Sequence, residues 1–161
     1  MNLRHFSALG LAIVISTSAL AQDTKPTTPE ERTHWVEVLH KLEAQPSDQS
    51  TISEAERVVK RLIEAPDFHM TICPVITELP PKYAQKEAVL QLFMIGLAGY
   101  QVETGKTDNE GANLYALHSV LKGYAVLVQQ NARATDKKLD ELAKLDADGK
   151  LPELIKKKGC K

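Results

Sequence analysis

Two cysteines and five histidines carry most of the reactive side-chain chemistry in this sequence. The cysteines, Cys73 and Cys160, stand in neither a C-x-x-C nor a C-x-x-C-H pattern, so thioredoxin-type exchange and c-type haem attachment lack their motifs. In an oxidising compartment such a pair is expected to form a disulfide. Closing so long a loop stabilises a fold by about 4 to 5 kcal/mol in the chain-entropy account. A bridge would also consume the thiol that His69, in the same stretch as Cys73, would otherwise be placed to activate as a nucleophile.

His34, Glu37 and His40 follow one another at intervals of three, which lays all three along one side of a helix and makes them candidate ligands for a divalent metal. Glu37 and His40 form the E-x-x-H unit of ferritin-like bundles, but such a site needs a second copy and two further carboxylates on facing helices, and no copy occurs beyond this helix. A polar helix face opposite Trp35 and Leu39 accounts for the same residues. His118 falls beside the apolar stripe of a later helix, where it and Met94 are the residues that would hold a haem; neither has a motif around it, and no cofactor is expected. The run Leu145 to Leu151 resembles the middle of a calcium-binding loop, with Gly149 at the turn. In that register Lys144 and Ile155 replace two essential acidic ligands, so the run reads as a helix-ending acidic turn. Serine-hydrolase, phosphate-loop, dinucleotide and zinc-protease motifs are absent, which weighs against an enzyme. An enzyme would have to use a residue such as His69 as general acid or base.

These residues need elements to hold them. The sequence opens with Arg4 and His5, an apolar run from Phe6 to Ile15, and Ala19-Leu20-Ala21, the pattern of a cleavable signal peptide over residues 1–21. Its apolar core is too short for a comfortable membrane span, and no second one exists, so no membrane anchor is expected after cleavage. The first 21 residues hold Arg4 and no acid, so the chain's 20 basic and 21 acidic residues become 19 and 21 in the remaining 140. That near-neutral balance argues against nucleic acid as a partner. It leaves enough chain for a single domain over residues 29–161 behind a flexible leader at 22–28.

Thr28, Pro29 and Glu31 spell a capping box with proline at the first helical position, starting a helix that runs to about Gln45 and buries Trp35, Val38, Leu39 and Leu42. Thr51 with Glu54 repeats the pattern, and Ile52, Ala55, Val58, Val59, Leu62 and Ile63 make a second stripe ending near Ala65. Pro66, Pro74, Pro80 and Pro81 then interrupt any continuous helix. Phe68, Met70, Ile72, Val75, Ile76 and Leu79 give that connection apolar surface to lay on a core. A third helix is expected from about Lys82 to Thr104, apolar on nearly every face, with Gly96 and Gly99 admitting a close neighbour. A fourth should reach about Asn131. A shorter one should end at Gly149, and a last turn or two should start at Pro152.

Together these elements predict an all-α bundle of four to six helices around a central antiparallel helical hairpin, preceded by the signal peptide. Tyr100, Tyr115 and Tyr124 cluster on that hairpin; core packing explains them first, and an interface second, since aromatic residues are enriched at interfaces. The functional expectation is an exported, disulfide-stabilised domain, periplasmic or secreted, that binds another protein as adaptor or inhibitor. A metal- or haem-binding bundle and an enzyme without a recognisable motif are the alternatives.

Overall fold

The computed structural model describes residues 25–77 and 83–160, and the expected signal peptide lies outside the described residues. These residues form seven α-helices and no strand: α1 (Pro29–Ala44), α2 (Gln49–Glu64), α3 (Pro74–Thr77), α4 (Lys86–Thr104), α5 (Asn109–Gln130), α6 (Lys137–Ala147) and α7 (Leu151–Lys157). A 3-10 turn, Ala132–Ala134, links α5 to α6. The all-α class therefore holds. The helix count exceeds the expected four to six because the Pro-rich connection contains α3, a single turn of four residues.

Local signals explain most boundaries. The Thr28 side chain accepts from the Glu31 amide while the Glu31 carboxylate accepts from the Thr28 amide, the reciprocal box predicted for α1. Gly105, at φ 68°, stops α4 in the left-handed conformation that costs glycine no Cβ clash. The start of α2 differs from expectation. Asp48, not Thr51, is its cap, accepting from both the amide and the hydroxyl of Thr51 at 2.8 Å, so the helix begins at Gln49. An aspartate three residues upstream offers a charged acceptor that a threonine cannot match.

Helices α4 and α5 approach closely. A Cβ added at Gly96 would lie 2.8 Å from the Cα of Ala116, so the glycine is what lets the two backbones meet. Leu92 packs over Gly123 and the Tyr100 hydroxyl over Gly111. Against this pair lie Trp35, Val38, Leu39 and Leu42 of α1, all buried, and Ala55, Val58 and Leu62 of α2. Trp35 meets Phe68 of the connection edge-on, with ring centroids 5.1 Å apart.

The connection is tied down from both sides. Cys73 is bonded to Cys160, with Cα atoms 5.1 Å apart and a separation of 87 positions in sequence. Asn113 of α5, fully buried, accepts from the Cys73 amide at 2.9 Å and donates to the carbonyls of Thr71 and Asn109. Phe68, Val75 and Ile76 are buried as expected, whereas Ile72 faces outward at 44% exposure. Residues 25–28 have no regular structure and are held in place. Thr27 donates to Asp67 through its amide and its hydroxyl, and the Arg61 guanidinium donates to the Lys25 carbonyl.

Candidate functional site

Two regions gather the chemistry. The first is a polar network where α1, α4 and α5 meet. His40 stands between two carboxylates, its Nδ1 3.2 Å from Glu43 and its Nε2 3.0 Å from Glu103. The Tyr115 hydroxyl donates to the other oxygen of Glu103 at 2.6 Å, and the Lys122 ammonium donates to Glu43 at 3.3 Å. Burial pushes the His40 pKa down, the hydrogen bonds to Glu43 and Glu103 push it up, and the net direction is upward. The Tyr115 hydrogen bond, with His40 behind it, holds the Glu103 carboxyl below its ordinary value. Beside this network a cleft of about 430 Å³ is lined by Tyr115, His118, Ser119, Leu121, Lys122 and Asp146, and His118 meets Asp146 at 2.9 Å across it.

The second region is apolar. Val59 of α2, Tyr83 and Ala84 ahead of α4, and Leu90 and Met94 of α4 line an open groove of about 420 Å³, with Lys86, Glu87 and Gln91 completing it. Tyr83 is a fixed wall, since its hydroxyl donates to the Ala134 carbonyl at 2.9 Å and burial pushes its pKa up to about 12. Gln91 is only 6% exposed, and its Oε1 has no hydrogen-bond partner among the described residues. Ile63, one turn beyond Val59 on α2, is 69% exposed. Its place in the predicted buried stripe is therefore corrected. Ala55, Val58 and Leu62 turn to the core, and a residue one position past Leu62 is rotated by about 100° out of that face.

The residues singled out in the sequence are distributed as follows. Glu37 pairs with His34 at 3.8 Å, and His34 also meets Glu54 of α2 at 3.7 Å, while His40 takes the separate pair Glu43 and Glu103. His34, Glu37 and His40 are thus divided between two sets of partners, and no group of three or more His, Cys, Asp or Glu among the described residues could hold a metal ion. Met94 and His118 line different cavities, so they do not flank one haem-sized space. His69 is exposed, and Cys73 beside it is committed to its disulfide.

Each of the three tyrosines donates to a carboxylate: Tyr100 to Asp108, Tyr115 to Glu103, Tyr124 to Asp140. Tyr100 and Tyr124 are buried, and Tyr115 alone borders a cleft. Burial, reinforced by Asp140, pushes the Tyr124 hydroxyl up to about 12. Asp146 serves His118, and Gly149, at φ 69°, ends the acidic turn after α6.

Glu43, Glu103, Asn113 and Lys122 do not stand out in the sequence, because each takes its role from a partner distant in sequence, on another helix or, for Asn113, in the connection. In the sequence Gln91 is the one polar residue of the apolar run between Ala88 and Gly99. Among the described residues no helix is long and apolar enough to cross a membrane. No family model, no curated protein and no solved structure matches this chain.

Proposed function

We propose that this chain is an exported helical domain, built about the α4–α5 pair as its central hairpin, that binds another protein through the groove between α2 and α4. The observation that carries this reading is the uncovered apolar surface there: Val59, Leu90 and Met94 in the groove and Ile63 standing out beside it. A large aliphatic side chain held in water forgoes about 1.5 to 3 kcal/mol of burial, which a partner surface would recover. The buried disulfide and the lack of a membrane-crossing helix among the described residues are consistent with an oxidising, extracytoplasmic setting. The near-neutral charge favours a protein partner over a polyanion.

Site-specific photo-crosslinking tests the reading. A crosslinker placed at Ile63 or Met94 is expected to capture one discrete partner in extracts of the native compartment, whereas one placed at Lys144 on α6 captures none. Ile63→Glu should abolish the adduct formed from position 94 while leaving the thermal midpoint within a degree or two, because an exposed side chain contributes little to folding. Equal, diffuse labelling from all three positions would reject the groove as an interface.

A further inference from the structure

The α2–α4 groove combines an apolar floor with a rim that carries both signs of charge. Ile52, Val59 and Ile63 recur on α2 at intervals of seven and four, and Leu90 and Met94 stand four apart on α4, so each helix presents one incompletely covered stripe. Ile63 projects beside the hollow that Val59, Leu90 and Met94 line, which puts a knob and a hole side by side on one surface. Glu56 and Lys60 edge the α2 side, and Lys86 and Glu87 edge the α4 side. Other charges of α2 are matched within the chain, Glu54 with Lys41 and Arg61 with Glu31. None of the four rim charges has an ion-pair partner among the described residues.

We propose that a second copy of this chain occupies the groove, forming a two-fold symmetric dimer in which Ile63 of each copy enters the other's hollow. This rests on the groove being an interface, and it adds a homodimer that covers the face when no other protein holds it. A surface that carries its own knob next to its own hole is complementary to itself after half a turn. The rim holds two acids and two bases, so two such faces meet without net repulsion, and the unmatched lysines of one copy can pair with the glutamates of the other. A two-fold axis along the groove sets α2 of each copy on α4 of the other. That arrangement brings the edge with Glu56 and Lys60 to the edge with Lys86 and Glu87. The size of the face sets the strength. Ile52 to Ile63 rises about 17 Å, and two helices side by side are about 20 Å wide, less surface than the roughly 800 Å² per partner of a standard stable complex. The dimer therefore belongs to the weak, exchangeable class and gives way to another protein at the same face.

Sedimentation equilibrium of the purified exported protein from about 1 to about 500 μM tests this, a range that brackets weak association. The wild type is expected to pass from monomer to dimer and no further. Ile63→Glu should weaken the dimer about tenfold or more, and Lys144→Glu on α6 should leave it unchanged. Two double variants examine the rim: Lys60→Glu with Lys86→Glu makes an acidic face, and Glu56→Lys with Glu87→Lys makes a basic one. Each alone is expected to stay monomeric where the wild type is dimeric, and an equal mixture of the two should recover the dimer. Circular dichroism and thermal melts establish that every variant is folded. A wild type that is monomeric throughout overturns the inference, as does a dimer that survives Ile63→Glu or a mixture that stays monomeric. A monomer that carries a copurified alkyl ligand in native mass spectrometry reassigns the groove and overturns it as well. If the wild type is monomeric while a crosslinker at position 94 captures a different protein, this inference fails and the groove remains an interface; diffuse labelling from that position rejects both.

Discussion

His40 links α1 to α4 through one imidazole, the carboxylates it meets carry the network on to α5, and its protonation state is therefore a property of the fold. Its folded pKa lies above the ordinary value of 6.5. The protonated form is the one the folded state prefers, so its contribution to stability is complete below about pH 6.5 and is lost as pH rises through the folded pKa. The groups facing it are Glu43 on its own helix, Glu103 on α4, and, behind those carboxylates, Tyr115 and Lys122 on α5. The wild-type urea midpoint is expected to fall between pH 6.5 and pH 8.5, and a His40→Gln variant should be flat over the same interval. Identical slopes would show that the imidazole titrates alike in the folded and the unfolded chain. Asn113 gives a larger effect that does not depend on pH. Asn113→Ala strands the Cys73 amide in a buried place and takes a donor from the Thr71 carbonyl, and the expected loss is about 2 kcal/mol in urea titration.

Among the elements, α4 and α5 have the least tolerance. At Gly96 an added methyl meets the Ala116 backbone at 2.8 Å, and backbone cannot step aside without moving the helix. Gly96→Ala should cost about 1 to 3 kcal/mol. At Gly99 the nearest atom, also at 2.8 Å, is the end of the Leu39 side chain, which can rotate, so Gly99→Ala should cost less than Gly96→Ala in the same titration. A reversed order would mean that the Leu39 packing is the stiffer of the two.

The same pair of glycines shows what could be read in advance. A glycine inside an apolar helical run signals a close neighbour, and the Thr28 box, the Gly105 stop and the buried stripe of α1 follow from spacing alone. Local chemistry is written in adjacent residues, and so is legible. The candidate groove was not, because it depends on which flank of α2 meets α4: Val59 lines it, Ile63 stands beside it, and only tertiary packing separates both from the buried Val58 and Leu62. The His40 network was hidden for a related reason. The sequence pattern ties His40 to Glu37 at i−3, whereas the fold turns it to Glu43 at i+3 and to Glu103 sixty-three positions away.

For the molecule as a whole, the bond between Cys73 and Cys160 is the longest-range constraint. Replacing both cysteines with serine should lower stability by about 4 to 5 kcal/mol, with little change in far-ultraviolet circular dichroism under native conditions. A much smaller loss would mean that the reduced chain is already compact around Asn113 and the α3 turn. The topology of that bond also sets the response to mechanical load. Pulled by its ends, the oxidised chain transmits tension through the sulfur atoms and bypasses a sequence separation of 87, about 300 Å of extended contour. Helices α3 to α7 then carry no tension, and of the described helices α1 and α2 bear the force.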